Sequence, residues 1–241
     1  MAARFYVPVS YTIGKTIALP EKTAHHASRV LRMREDDSAV LFDGQGNEAQ
    51  VKLHFFADRT EAEIVSVAQS NNESPLEVTL IQALVSQEKL DWILEKTTEL
   101  GVKRIIIAPT ERSVTKLDEK RLTKRLEQWK KTVQAACEQC GRSFFSEVIY
   151  SPTIQKALEI GQSELNVLLA PGSSANLVFP SNGTSITFAV GPEGGFSDRE
   201  IELAREMGYR SALLGPRVLR TETAGLTAIA IAQWQLGDFQ N

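Results

Sequence analysis

Two glycine-bearing turns near the C-terminus constrain this chain more than any other stretch. They are Gly191-Pro192-Glu193-Gly194-Gly195 and Leu214-Gly215-Pro216-Arg217-Val218-Leu219-Arg220-Thr221-Glu222-Thr223-Ala224. Each follows a short apolar run, Ile186 to Val190 and Ala212 to Leu214, and leads into a helical pattern. Open α/β sheets place ligand sites at such points, at the carboxyl ends of strands. Glycine lets backbone approach a ligand closely and take positive φ. Either turn alone reads equally well as a simple strand end. On neighbouring strands, the two predict one pocket lined by backbone N–H and C=O groups.

The segment leading to these turns alternates strand and helix. Val78 to Leu84 reads as a strand; Leu90, Ile93, Leu94, Thr97 and Leu100 then share a helical face closed by Gly101. Val102 to Ala108 is a continuous apolar strand of the doubly buried kind. Leu122, Leu126, Trp129, Val133, Ala136 and Cys140 mark a long amphipathic helix ending at Gly141. Strands near Val148, Val167, Ile186 and Ala212 follow, with helices over 154–160 and 198–207, the latter opened by a Ser197/Glu200 capping box. This order predicts an α/β class with a mostly parallel sheet. The last helix, about 222–236, carries no charge from Thr223 to Gln235, so it is either a central core helix or one that also packs across a two-fold interface.

The first 70 residues read differently. Arg4 to Val9, Ala39 to Phe42, Ala49 to Phe55 and Thr60 to Val67 are strands, Asp43 to Asn47 is a hairpin turn, and one helix starts near Glu21. The expectation is a small barrel over 1–70, a polar linker at 71–75 and an α/β domain over 76–241.

A formal charge of −3 excludes a globally basic nucleic-acid coat protein. Residues 1–10 show no secretory signal and no apolar run approaches a membrane span, so the expected location is the cytoplasm, away from membranes. Cys137 and Cys140 form a Cys-x-x-Cys, but it lies within a helical pattern and the three histidines are distant; structural thiols are the expectation, with no metal.

The glycine turns lack the Lys-Ser/Thr of a phosphate loop, and Glu193 would repel a phosphate. A carboxylate beside open backbone suits a ligand bearing positive charge, such as S-adenosylmethionine, though a non-phosphate small molecule is all this pattern supports. From Arg112 to Lys131 there are eight basic residues against three acidic ones, and Arg29, Arg32 and Arg34 are read on the N-terminal helix. A single charge run reads as a solvated face; two of them in an acidic chain fit a polyanion. His25 and His26 either pack on the barrel helix or contact RNA.

Several stretches resemble one family. They are Arg4-Phe5-Tyr6-Val7, His25-His26 with Val30 to Arg34, Glu99 to Val102, Glu111-Arg112-Ser113, Glu138 to Ser143, Gly191 to Phe196, and Leu214 to Ala224. In this order they are similar to the bacterial 16S ribosomal RNA uridine-N3 methyltransferases of the SPOUT class. The resemblance implies a PUA-like RNA-binding β-barrel, then a SPOUT domain with a deep trefoil knot. S-adenosylmethionine would be held by Leu169, Ala170, Gly172, Gly191, Glu193, Gly194, Gly195, Leu214, Gly215, Leu219 and Thr223. The substrate would be 16S rRNA within the 30S subunit, methylated at N3 of the uridine conventionally numbered 1498. A homodimer would form through the C-terminal helix. Pro171-Gly172 stands where the family often has an acidic residue, which bears on adenosine contact.

For the reaction, Arg220 is the candidate to stabilise the developing uridine anion, with a salt bridge to Glu222 or Glu193 as its other reading. Glu193, Glu222 or solvent would take the proton. RNA contacts are expected at Arg4, His25, Arg29, Arg32, Arg34, Arg112, Lys116, Lys124 and Arg142. The rival readings are a non-catalytic ribosome-assembly protein that binds RNA, and a ribose 2′-O-methyltransferase of the same class.

Overall fold

The computed structural model describes residues 2–240 except Gly172, Ser174 and Ser181. The chain divides into two compact units, residues 1–73 with 134–145, and residues 74–133 with 146–241.

The first unit is built on a five-stranded sheet. Its strands are β1 (Ala3–Tyr6), β2 (Thr16–Ala18), β3 (Ser38–Phe42), β4 (Asn47–Phe55) and β5 (Thr60–Gln69), in the order β1-β3-β4-β5-β2. Only β1 and β3 pair in parallel. Along β4, Ala49, Val51 and Leu53 point inward while Gln50 and Lys52 are exposed, the period-two pattern of a half-buried strand. They join Phe5, Leu41, Ile64 and Ala27 in one core. At the β3–β4 turn the Asp43 carboxylate accepts from the Gln45 and Asn47 N–H groups at 2.7 and 3.1 Å. That turn is tight because Gly46 takes φ 97°, and the Phe144 ring occupies the space a Cβ would need there.

Two expectations change here. The first strand ends at Tyr6: Val7 donates the next bond to Phe42 O, after which Pro8 supplies no N–H and Val9 turns back onto Val7 O. β2 is too short to show alternation in sequence. The helix α1 (Glu21–His25) continues as a π-helical turn, His26–Val30.

The second unit holds a six-stranded sheet whose adjacent strands all run parallel. Its strands are β6 (Glu77–Ala83), β7 (Arg104–Ala108), β8 (Glu147–Tyr150), β9 (Leu165–Leu169), β10 (Ser185–Val190) and β11 (Arg210–Ala212), in the order β11-β9-β10-β6-β7-β8. The helices are α2 (Gln87–Glu99), α3 (Glu119–Cys140), α4 (Ile154–Ile160), α5 (Asp198–Glu206) and α6 (Thr221–Leu236). Central β6 and β10 are buried on both faces, as a parallel sheet covered by helices requires. The capping box forms, Ser197 accepting from Glu200 N–H and Glu200 from Ser197 N–H.

α6 lies against β6 and β10. Gly225 of this helix faces Leu80 and Val190, where a Cβ would make ordinary contact at 3.5 Å. Its buried Gln233 accepts from Ser74 Oγ at 2.7 Å and donates to Leu100 O at 2.9 Å, so this polar group in an apolar helix is satisfied.

The sequence division at 71–75 lies close to the observed boundary between Glu73 and Ser74, but residues 134–145 join the first unit, not the second. The periodicity of α3 is unbroken, so nothing along it signals the change. Within the first unit Arg142, almost wholly buried, donates twice to the Glu73 carboxylate at 2.8 and 2.6 Å. Removing the acid takes two charge-assisted hydrogen bonds from a buried guanidinium. Glu73→Ala is expected to lower stability by about 3 kcal/mol in urea unfolding; a negligible change would show that the pair does not hold this unit.

Candidate functional site

The carboxyl ends of three neighbouring strands, β11, β9 and β10, open into one cavity of about 620 Å³. β9 contributes Leu169, Ala170 and Pro171, β10 runs into Val190 to Glu193 and Gly195, and β11 into Ala212 to Thr221. Ala224 of α6 and Lys89 of α2 complete the lining. Both glycine turns therefore meet, as their wording predicts.

The turns keep their shape for local reasons. A Cβ on Gly191 would lie 3.1 Å from the backbone of Gly195 and Phe196, so the loop is folded tightly on itself. Gly195 and Gly215 take φ 68° and 73°. Beneath the cavity runs a buried relay. Gln82 of β6 donates through Nε2 to Thr221 Oγ1 at 3.0 Å, and Thr221 donates to the Gly191 carbonyl at 2.6 Å. One hydroxyl thus ties the start of α6 to the first glycine turn. Arg112, on the loop after β7, donates to Gly194 O at 2.9 Å and braces that turn further.

Five charged side chains lie at or beside the cavity: Lys89, Glu193, Arg217, Arg220 and Glu222. Lys89 Nζ is 2.6 Å from Glu193 Oε1 and 4.0 Å from Glu222 Oε2, and Arg220 is 4.0 Å from Glu222 Oε1. The hydrogen bond from Lys89 holds the Glu193 carboxyl below its usual range, and the same bond raises the Lys89 ammonium, so both stay ionised at neutral pH. Arg220 is 83% exposed.

The structure sorts the expected residues. Leu169, Ala170, Gly191, Glu193, Gly195, Leu214, Gly215, Leu219 and Arg220 line the cavity; Gly194, Glu222 and Thr223 flank it in sequence, and Gly172 lies outside the described residues. His25, Arg29, Arg32 and Arg34 are exposed on the first unit, and Arg112, Lys116 and Lys124 on the second. Arg4 and Arg142 are corrected. Arg4 donates to Glu48 at 3.1 Å and Ser143 at 2.6 Å, and Arg142 is held by Glu73, so both guanidiniums serve the interior of the first unit. His26 packs edge-on against Phe5. Burial pushes the Cys137 thiol up to about 12, in keeping with a structural role.

Sequence reasoning missed Lys89 and Gln82. Lys89 follows the carboxyl end of β6 by a few residues, the same signal that singled out the glycine turns. Gln82 is a buried polar residue in an otherwise mostly apolar strand. A cluster of Glu35, Asp36 and His54 also escaped notice; its ligand-type atoms lie within 4.8 Å of one another. Its carboxylates are exposed and it is already hydrogen-bonded, His54 to Glu35 at 2.7 Å and Glu35 to the Phe55 N–H at 2.8 Å.

Comparison with known proteins gives consistent matches. Residues 72–233 match the RNA methyltransferase domain family, and residues 19–54 the RNA methyltransferase PUA domain family. A ribosomal RNA small subunit methyltransferase E of Bacillus subtilis is 32% identical over 231 residues, 91% of this chain and 90% of that protein. The crystal structure of such an enzyme from Neisseria gonorrhoeae, bound to S-adenosyl methionine, is 37% identical with TM-score 0.90, covering 99% of this chain and 100% of that one. A methyltransferase structure from Legionella pneumophila with bound SAM is 34% identical with TM-score 0.93 over the same shares.

Thr221→Val keeps the side-chain shape but removes the donor to Gly191 O and the acceptor for Gln82. It is expected to cost about 2 kcal/mol in chemical denaturation, with Thr221→Ser close to the parent. A loss in Thr221→Ser with Thr221→Val close to the parent would mean that the methyl group, not the hydroxyl, matters.

Proposed function

This chain belongs to the RNA methyltransferase family, alongside the ribosomal RNA small subunit methyltransferases E, and on that premise we propose that it methylates N3 of one uridine of 16S rRNA. S-adenosylmethionine-dependent methylation of small-subunit ribosomal RNA is the family's activity; N3 of the uridine conventionally numbered 1498, in the assembled 30S subunit, is the finer reading. The observation that carries it is the cavity at three adjacent strand ends, walled by backbone and apolar side chains.

The residues present fit S-adenosylmethionine. Leu169, Val190, Leu214, Val218 and Leu219 offer apolar walls for an adenine, backbone of the three loops offers hydrogen-bonding groups to its polar edge, and Glu193 offers a carboxylate to a cationic group. A phosphate would meet that same carboxylate, which disfavours a nucleotide. Bound there, the cofactor supplies an electrophilic methyl on a sulfonium. Catalysis then asks three things of the protein: extrude the base from its stack, align N3 with the S–CH₃ axis, and favour the N3 anion. The N3–H bond breaks, the proton leaves to a carboxylate or solvent, and the N3–CH₃ bond forms as the S–CH₃ bond breaks. Arg220, exposed at the cavity rim, is placed to meet the base or a neighbouring phosphate.

The same reading makes residues 1–70 a PUA-like barrel and the last segment a deep knot. In support, residues 175–177 lie beside the end of β11, with Leu213 donating to Ala175 O at 2.9 Å and Leu177 to Leu213 O at 3.2 Å, before the chain turns back into α6. The exposed Arg29, Arg32, Arg34, Lys116 and Lys124 are the proposed phosphate contacts. Among the described residues no helix is long and apolar enough to cross a membrane, and the proposed site of action is the cytoplasm.

A homodimer through α6 completes the proposal. Ile231 and Trp234 are exposed on that helix, Trp234 to 54%, and Trp92 is exposed on α2, which packs against it. An uncharged face of that kind is costly to leave in water.

Two measurements test these statements. Labelled S-adenosylmethionine, small subunits from cells lacking the endogenous activity, and nucleoside mass spectrometry are expected to give 3-methyluridine; a ribose-methylated product would favour the 2′-O rival, and no cofactor binding would remove the enzyme reading. Trp234→Glu is expected to shift the sedimenting species from dimer to monomer, and an unchanged species would place the interface elsewhere.

A further inference from the structure

The fixed positive charge at the cavity is not the one the sequence suggests. Stabilising a charge that develops during reaction requires a group already held in place, because a mobile one must be ordered at the moment of need. Arg220 is 83% exposed and lies 4.0 Å from the Glu222 carboxylate. Lys89 is 31% exposed, stands on the first turn of α2, lines the cavity itself, and is fastened at 2.6 Å to Glu193. Its ammonium faces Glu193 from the first glycine turn and Glu222 from α6, with Arg220 and Arg217 on the second turn. Of these cations it alone is anchored by a short hydrogen bond to a carboxylate.

We infer that Lys89 is a further catalytic residue, whose ammonium faces the carbonyl oxygens of the bound uridine and favours loss of its N3 proton. This rests on the reading of the reaction as N3 methylation. As N3–H breaks, the negative charge spreads onto O2 and O4 of the base. A nearby cation lowers the free energy of that anion, so more of the bound uridine is nucleophilic at a given pH. The proton itself goes to solvent or a carboxylate, since an ammonium cannot accept it. Glu193 has the opposite effect. It orients Lys89 and also offsets part of its charge, so the pair sets how strongly the cavity favours an anion.

The effects of the two residues have opposite signs, and that is what the test reads. Single-turnover methylation of small subunits is followed against pH at saturating cofactor, with cofactor binding measured separately by calorimetry. Lys89→Met is expected to move the midpoint of the pH–rate profile up by about one unit, with a rate about tenfold lower at neutral pH that recovers in alkali. Lys89→Arg keeps the profile near the parent. Glu193→Gln moves it down, and the double variant falls between the two single ones. Cofactor affinity in Lys89→Met stays within a few-fold of the parent.

A Lys89→Met rate reduced equally at every pH overturns the inference and marks a structural role. Loss of cofactor binding in that variant overturns it too, in favour of a cofactor contact. If the parent makes 3-methyluridine and Lys89→Met leaves the profile unshifted, the inference alone fails. If the parent product carries its methyl elsewhere than N3, the functional reading and the inference fail together.

Discussion

The Thr221 hydroxyl is the contact on which the cavity depends. It stands at the first residue of α6, accepts from Gln82 in the middle of the parallel sheet, and donates to the carbonyl that begins the Gly191 turn. Three elements far apart in sequence are thereby fixed to one another by a buried group with both its donor and its acceptor capacity used. Buried polar chains of this kind gain strength from low local dielectric and lose it sharply when one member is missing. Around that point the surrounding geometry follows. α6 packs on β6 and β10 with Gly225 facing Leu80 and Val190, and the tight Gly191 loop lies across the cavity from the Leu214–Thr221 segment.

Charge in the second unit is arranged on a different principle. The cavity walls are mostly apolar, so its few ionised groups act in poor solvent and at short range. Lys89 and Glu193 keep each other ionised, Glu222 is mostly buried behind them, and Arg220 extends into water. A nearly neutral set of this kind tolerates a cationic cofactor and an anionic RNA in turn, whereas unpaired carboxylates at the same place would repel the RNA. The exposed cations outside the cavity act over longer distances and are screened by salt.

In the first unit, arginine does structural work that its sequence context conceals. Arg4 and Arg142 stand in stretches that resemble the family's motifs, yet each is folded inward onto a carboxylate, Glu48 and Glu73. Motif position alone did not distinguish them from Arg29, Arg32 and Arg34, which remain in water. The difference is burial, set by which strand or turn closes over the side chain. A guanidinium matches a carboxylate through two parallel hydrogen bonds, which makes Arg142 suited to an interior pair.

The amino-acid sequence by itself determined the alternation of strand and helix, the capping box at Ser197, the Asp43 turn and the presence of a pocket at the glycine turns, because these are local matters of periodicity, φ and side-chain reach. It also located the long helix to Cys140 and the apolar α6. It did not show that residues 134–145 leave the α/β unit, that β2 completes the first sheet, or that Lys89 and Gln82 serve the cavity. Each of those depends on contacts between residues tens of positions apart, for which one sequence carries no periodic trace. Tertiary structure alone decided which charges are anchored, since a side chain's partner is chosen by the folding of distant strands and not by its neighbours in the chain.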